Sequence, residues 1–509
     1  MLARCGLAAL SGALYFGGYT GFGQFYLTWV CFVPVLFAVR GLDARRTFAV
    51  GMVFGWTAQM GGFYWIAQLL EGFAGVPGPL AWVATVLLCA YQALVCALTL
   101  VLVRRAQDSL GLAPVWTLPV VFPALELAFP LVFPNAIGYS QYRFTAITQI
   151  VELSGLTLLG MLILAVNGGV YEVLDAARKR RPRLARLAVP ALAFALALGW
   201  GLWRVPAIEH GLEDARRLRV ALIQTNVGAE DKEALAAESL PRHAAASRAA
   251  LERDPSIELI VWPETVYYDY ISRRGGPVRG LVGRGVDVPL VFGAATAEFD
   301  GAGRIREFYN SMVLASAESE VLGIYDKIEL VTLGETIPGL STFPWLAQLL
   351  PVPALLDAGQ SYRHLVLEDG TRMLPLVCIE DIIPSLPRRI WQVSGPPDVL
   401  VNVTNDSWYG ETHEPVHHMA MSTFRTIETR RSLIRATNTG ISVLVDPLGR
   451  ITARTRVREA TELIGDVVLV QDGRSTPYVR RGEVAGALAW ALLALGGALD
   501  LRQRRRRRV

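Results

Sequence analysis

The chain has 509 residues, of which 52% are hydrophobic and only 18% charged, with a mean hydropathy of +0.36. Soluble globular chains carry about 25% charged residues, so this composition excludes a disordered or fibrous protein and argues against a wholly soluble enzyme. The formal charge of +4 has one source: six arginines, Arg502 and Arg504 to Arg508, close the chain, and without them the balance is −2, leaving no basic field to attract nucleic acid.

Eight apolar runs approach the ~20 residues that a helix needs to cross a bilayer. They lie at about 5–20, 23–39, 47–70, 80–103, 112–130, 148–173, 187–204 and 482–501. The first resembles a secretory signal in length, but no small-residue cleavage pattern follows it and a second run begins at once, so it is read as retained. The fifth is the weakest, interrupted by Pro114, Pro119 and Pro123. Basic residues fall in every second connection: Arg4; Arg40, Arg45 and Arg46; Arg104 and Arg105; Arg178, Lys179, Arg180, Arg181, Arg183 and Arg186; and the arginine tail. The alternate connections at 19–23, 71–79 and 131–147 hold only Arg143. By the positive-inside rule both termini are cytoplasmic and residues 205–481 lie outside. The expected organisation is a seven-helix membrane domain at 1–204, an exterior domain at 205–481, and a last membrane helix with its arginine tail at 482–509.

The exterior segment is long enough to bury its own core. Apolar runs with strand character recur at 219–227, 257–262, 288–296, 311–316, 363–369, 373–380, 398–406 and 441–446, with helical stretches at about 229–253 and 414–434. Strands interleaved with helices predict an α/β domain whose sheets are covered on their faces.

Four of the five cysteines, Cys5, Cys31, Cys89 and Cys96, fall in the apolar runs, so Cys378 is alone in the exterior domain and has no partner there for a disulfide. It ends an apolar strand and opens into Ile379, Glu380 and Asp381, the kind of strand end where α/β folds place their chemistry. A thiol attacks as the thiolate, so it needs a base, and acyl transfer also needs a donor for the oxyanion. Two other strand ends offer these: VWPET (261–265) carries Glu264, and IYDKIEL (324–330) carries Lys327. Each is weak alone; the three at separate strand ends can converge on one sheet edge.

The motifs VWPET, YDKIELVTLGETIP (325–338), VCIED (377–381) and NDSWYG (405–410) resemble the nitrilase, or carbon–nitrogen hydrolase, superfamily. With eight flanking spans, and with GYSQ (138–141), RATNTGIS (435–442) and TPYVRRGE (476–483), the likeness narrows to the apolipoprotein N-acyltransferases of Gram-negative bacteria and covers nearly the whole chain. The resemblance implies an eight-span α-helical membrane domain joined to a nitrilase-like α-β-β-α sandwich in the periplasm of the inner membrane. It implies Glu264 as general base, Lys327 as oxyanion stabiliser and Cys378 as nucleophile, with Glu335 and Glu380 in support. Asn405, Asp406 and Trp408 match a loop that lines the family's site, in a structural or substrate-contacting role. The implied reaction moves an acyl chain from a phospholipid through a cysteine thioester to the diacylglyceryl-cysteine of an apolipoprotein, within the bilayer, as a monomer and without a cofactor. This chain departs from the family in having Ile379 where a tyrosine usually follows the nucleophile, and no tryptophan in the arm at 227–235.

Two rivals use the same features differently. A membrane-tethered amidase would employ the same Glu–Lys–Cys set with water as acceptor. A transporter with an accessory domain would need intramembrane charges, for which Glu126 and Glu152 are the candidates. His413 and His417 have the i, i+4 spacing of a zinc pair, but Pro415 interrupts them and no HExxH arrangement is present, so capping or packing is the expected role of His413, His417 and His418 and no metal is expected. Neither a P-loop nor a dinucleotide fingerprint occurs.

Overall fold

The computed structural model describes residues 1–508 except 73, 134, 179–184, 228–231, 274–275, 279, 333 and 338–354. The basic residues Lys179, Arg180, Arg181 and Arg183, and part of the arm at 227–235, lie outside the described residues. The chain divides into two compact units, one of residues 1–71, 76–207 and 480–509, the other of 72–75 and 208–479.

The first unit is helical, and among its described residues four helices are long and apolar enough to cross a membrane: Gly78–Leu110, Leu156–Arg178, Arg186–Gly211 and Val484–Arg506. The run at 112–130 forms Pro114–Ala128 despite its prolines, and the first run forms Leu2–Gly18. Two runs are not single helices. That at 23–39 is a 3₁₀ turn, Phe25–Trp29, followed by a short helix, Val33–Ala38. That at 47–70 forms Ala44–Phe63 and Trp65–Gly72. The first break has a visible cause. The amide of Asn167 donates to the Thr28 carbonyl (2.9 Å) and accepts from the Phe32 N–H (2.8 Å), satisfying backbone groups that leave the helix ladder. Small residues let two helices close on each other: a methyl group at Gly51 or Gly55 would lie 2.6 or 2.7 Å from the backbone of Ala97 or Ala93, the close approach by which helices associate in lipid. Glu152, one of the two candidate intramembrane charges, is held in a two-bond pair by Arg204 at 2.7 and 3.1 Å.

Among the described residues the second unit contains thirteen strands: β1 (Arg217–Gln224), β2 (Leu259–Val261), β3 (Tyr267–Ser272), β4 (Leu290–Phe299), β5 (Ile305–Ala315), β6 (Val321–Asp326), β7 (Leu365–Val366), β8 (Arg372–Val377), β9 (Val399–Thr404), β10 (Ser432–Thr437), β11 (Val443–Val445), β12 (Ile451–Arg454) and β13 (Thr461–Val468). They form two sheets, one ordered β13-β1-β2-β4-β5-β6 with β3 also on β4, the other β12-β11-β10-β9-β8-β7. The sheets face each other through β1 against β10 and β5 against β8, while helix Lys232–Arg253 covers the first and helices Ser385–Ser394 and Glu414–Thr429 cover the second. The layers are therefore α-β-β-α. Every residue of β9 and β10 is buried, as expected of central parallel strands covered on both faces.

The expected helix at 414–434 stops at Thr429. Arg430 takes a left-handed backbone (φ 54°), and the β-favouring run Ser-Leu-Ile-Arg-Ala-Thr then becomes β10. Strand β10 pairs in parallel with β9, and β9 with β8, so the C-terminal ends of all three point the same way. In the first sheet β2 runs parallel to β4, and β5 is antiparallel to both β4 and β6. The C-terminal ends of β2 and β6 therefore share an edge.

Candidate active site

Five loops leave these strand ends, and four of them carry the titratable groups singled out by the sequence. Glu264 follows β2, Lys327 follows β6, Cys378 follows β8, and Asn405 and Asp406 follow β9. Cys378 begins a short 3₁₀ turn, Cys378–Ile382, and its own backbone is left-handed (φ 54°). That conformation costs a non-glycine residue about 1–3 kcal/mol and turns the chain sharply at the sulfur. Its carbonyl is held by the Asn402 amide from β9 at 3.1 Å, which also donates to the Leu376 carbonyl at 3.3 Å.

Lys327, with a side chain only 1% exposed, lies between two carboxylates. Its ammonium donates to Glu335 Oε1 at 2.8 Å and stands 3.9 Å from Glu264 Oε1. Asn310, on β5 between β4 and β6, ties the group together: its amide donates to Glu264 Oε1 at 2.6 Å and to Glu335 Oε1 at 3.2 Å. Glu335 Oε2 accepts from the Val331 N–H at 2.8 Å, which fixes the loop that carries it. Glu264 Oε2 is buried and no donor meets it with full hydrogen-bond geometry among the described residues, although the Asn405 backbone N–H pulls on the same carboxylate. A buried acceptor left open in this way is costly unless something is delivered to it.

The electrostatics follow from burial. Burial pushes the Cys378 thiol well above its ordinary range; Glu264 and Glu335 add to this and Lys327 opposes it. The resting sulfur is therefore a thiol. Burial also raises Glu264, against the pull of Lys327 and the Asn310 hydrogen bond. Burial pulls Lys327 down, but the negative charges of Cys378 once ionised, of Glu264 and of Glu335 outweigh it and hold the lysine above its usual value. The cluster thus contains a protonated thiol, a base of raised affinity and a persistent cation.

Glu380 has a different task. Its Oε1 accepts from the N–H groups of Ile328 (2.7 Å) and Glu329 (3.0 Å), its Oε2 from Val377 (2.7 Å), and the Tyr325 hydroxyl reaches both oxygens. One carboxylate thus clips the lysine loop to the nucleophile turn. Burial lifts it to about 7 although those backbone donors pull it down.

Behind the nucleophile turn lies a second charged group that the sequence did not reveal. His418 contacts Asp381 through Nε2 (2.8 Å) and Asp406 through Nδ1 (3.1 Å), while Arg435 pairs with the same two aspartates at 3.0 and 3.2 Å. Although burial alone would lower it, His418 is raised to about 10 by Asp381 and Asp406. Asp406 is engaged here by both His418 and Arg435. A methyl group at Gly440 would lie 2.1 Å from its carboxylate. Asn405 turns its side chain back to the Ser407 N–H at 3.0 Å, and Trp408 is half-buried. Asp406, Glu414 and His418 lie close enough together to suggest a cation site, yet Arg435 already supplies positive charge there and both His418 nitrogens face carboxylates. His413 precedes helix Glu414–Thr429 and His417 is buried within it, outside that group.

Asn310 and Asn402 were missed although each left a mark: a lone amide inside an otherwise apolar strand, in FYNSMV and VLVNVT. Such a residue signals a backbone or side-chain partner across the sheet.

Residues 11–169 match the model of the apolipoprotein N-acyltransferase N-terminal domain, and residues 219–476 match that of the carbon–nitrogen hydrolases. The chain is 33% identical over 505 residues to the apolipoprotein N-acyltransferase of Geobacter metallireducens, with 96% of this chain and 93% of the relative covered. It is 27% identical to that of Bdellovibrio bacteriovorus, over 98% and 94% of the two chains. Among solved structures it is similar to an amidase from Nesterenkonia sp. (19% identity, TM-score 0.36, covering 54% of this chain and 96% of that one). It is also similar to a carbon–nitrogen hydrolase from Helicobacter pylori (15%, TM-score 0.36, 55% and 95%). The chain therefore belongs to the apolipoprotein N-acyltransferase family.

Proposed function

We propose that this protein acylates the α-amine of the N-terminal diacylglyceryl-cysteine of apolipoproteins, taking the acyl chain from a phospholipid through a thioester on Cys378. The observation that carries the reading is the setting of Cys378: a strained strand-to-turn cysteine whose cluster holds one lysine between two carboxylates, one with an open oxygen.

In the first half-reaction Glu264 Oε2 takes the thiol proton as sulfur attacks the ester carbonyl. The Lys327 ammonium donates to the oxygen on which negative charge gathers. Collapse breaks the ester C–O bond, and Glu264 returns its proton to the departing lysophospholipid oxygen. In the second half the acceptor amine attacks the thioester, Glu264 removes an amine proton, and the C–S bond breaks to give an amide and restore the thiol. Preorganised donors of the Lys327 kind are typically worth about 3–4 kcal/mol each. The ester itself supplies the driving force, so no nucleotide is required. Glu335 and Asn310 hold Lys327 and Glu264 in place.

The apolar helices fit this substrate. Moving a 16-carbon chain from bilayer to water costs about 12 kcal/mol, so an enzyme anchored in the membrane avoids extracting it. In this reading the chain crosses the inner membrane eight times, with both termini in the cytoplasm, residues 205–481 in the periplasm, and the monomer as the working unit. The alternative, an amidase that passes the same thioester to water, has less in its favour, since a small polar substrate needs no membrane unit.

The test is intact mass of the full-length protein after incubation with phospholipid. An acyl-sized, hydroxylamine-labile increment that Cys378→Ala lacks is expected, and a diacylated lipopeptide should discharge it as an amide. Discharge to free fatty acid alone would establish the hydrolase instead.

A further inference from the structure

Two cavities in the helical unit serve no purpose in that reaction. Both lie at the end of the bundle where the basic residues gather, against helices Gly78–Leu110 and Val484–Arg508, the larger also against Pro114–Ala128 and the smaller against the start of Ala44–Phe63. The larger, of about 730 Å³, is walled by apolar side chains such as Leu102, Trp116 and Leu493. The smaller, of about 470 Å³, is walled by Arg104, Arg105 and Arg504 together with Asp43, Asp108 and Asp500. The two share Arg105, Ser109 and Asp500, so an apolar trough opens directly into a charged pocket.

Gly496 and Gly497 are part of the trough wall, and a methyl group built on either would meet nothing within 4 Å. Glycine inside a helix is less favourable than alanine, and in membrane helices it usually serves close packing. Here it brings no helix nearer and leaves space open. In the charged pocket Asp500 pairs with Arg105 and Arg504, and Arg104 with Asp108. The buried Nε–H of Arg104 has no hydrogen-bond partner among the described residues. Three arginines and three aspartates line the pocket, so it complements a head that carries both signs.

We propose that this site holds one zwitterionic phospholipid, an acyl chain in the trough, its phosphate on Arg104 and Arg105 and its ammonium toward Asp43 and Asp108. The lipid is bound and not consumed, and the proposal is independent of the transfer reaction. The experiment uses native mass spectrometry of the full-length Cys378→Ala protein, which cannot turn lipid over, released from bilayers of equal phosphatidylethanolamine and phosphatidylglycerol. Introducing Gly497→Leu should lower the number of retained phosphatidylethanolamine molecules by one, and Arg104→Gln should reduce retention at that site at least tenfold. If Gly497→Leu does not fold, Arg104→Gln, which leaves the trough intact, carries the test. Unchanged retention in the variants, or retention of phosphatidylglycerol in preference, would overturn the proposal.

Discussion

Two charged clusters lie within a few residues of the nucleophile, and they are built on opposite rules. In the first, one lysine serves two carboxylates and a thiol, and one carboxylate oxygen has no well-formed hydrogen bond among the described residues. In the second, His418 and Arg435 face Asp381 and Asp406, two cations against two anions, with contacts on both carboxylates. Both are buried, and burying charge is costly unless it is paired and hydrogen-bonded. The four paired groups of the second cluster meet that condition and brace the nucleophile turn against the Asn405–Tyr409 loop, although Glu414 beside them, 4.0 Å from His418, also has a buried oxygen without a hydrogen-bond partner among the described residues. The first falls short of it by one acceptor, and that deficit is where a proton can go. What separates chemistry from scaffolding here is therefore the balance of charge, one cation against two carboxylates beside the sulfur and two cations against two carboxylates in the brace, since burial is common to both.

The comparison breaks most sharply at the sulfur. Cys378→Ala should reduce acyl transfer to background with the fold intact, read by lipopeptide acylation beside circular dichroism. Lys327→Met should cost about 10²–10³-fold in turnover, the range for a lost oxyanion donor, with thioester formation falling alongside. His418→Gln should leave the aspartates of the brace under-compensated and cost roughly 3–5 kcal/mol of stability, measured by denaturant unfolding. It should also alter the pH profile. His418 titrates near 10 in the folded protein against 6.5 ordinarily, so its contribution is complete below pH 6.5 and is lost as pH rises through 10. The fall in stability across that window should flatten in the variant, whereas Lys327→Met should retain it. A smaller effect is expected at Gly293, where an added methyl would lie 2.5 Å from the Glu264 Cα. Gly293→Ala should shift the base and slow turnover about tenfold, with overpacking costing roughly 1–3 kcal/mol. The least effect should come from Glu209→Gln, which breaks an ion pair with Arg450 whose side chains are 45% and 42% exposed; less than about 1 kcal/mol is expected.

How far the sequence could be read differs between these clusters for the same reason. Glu264, Lys327 and Cys378 each end an apolar strand, a local feature that periodicity exposes. Asn310 matters because β5 runs antiparallel between β4 and β6, bringing it to a glutamate 46 residues back and another 25 ahead. No local pattern carries that. His418 reads as a helix-start histidine and Arg435 as the first residue of the RATNTGIS stretch, just past the expected helix at 414–434. Only the left-handed Arg430, which ends that helix early and begins β10, brings Arg435 to the aspartates. In the helical unit hydropathy located the apolar runs, but the breaks in two of them depend on pairings as remote as Asn167 with Thr28 and Phe32.

The left-handed backbone at Cys378 has a consequence for how such a chain evolves. Glycine adopts that conformation without steric cost, so a glycine at 378 would make a protein that folds more readily and does nothing. Selection for robustness alone pulls this position away from sulfur, and only the demand for catalysis keeps it there. Stability screens on this scaffold would therefore enrich inactive chains at the very residue the reaction needs.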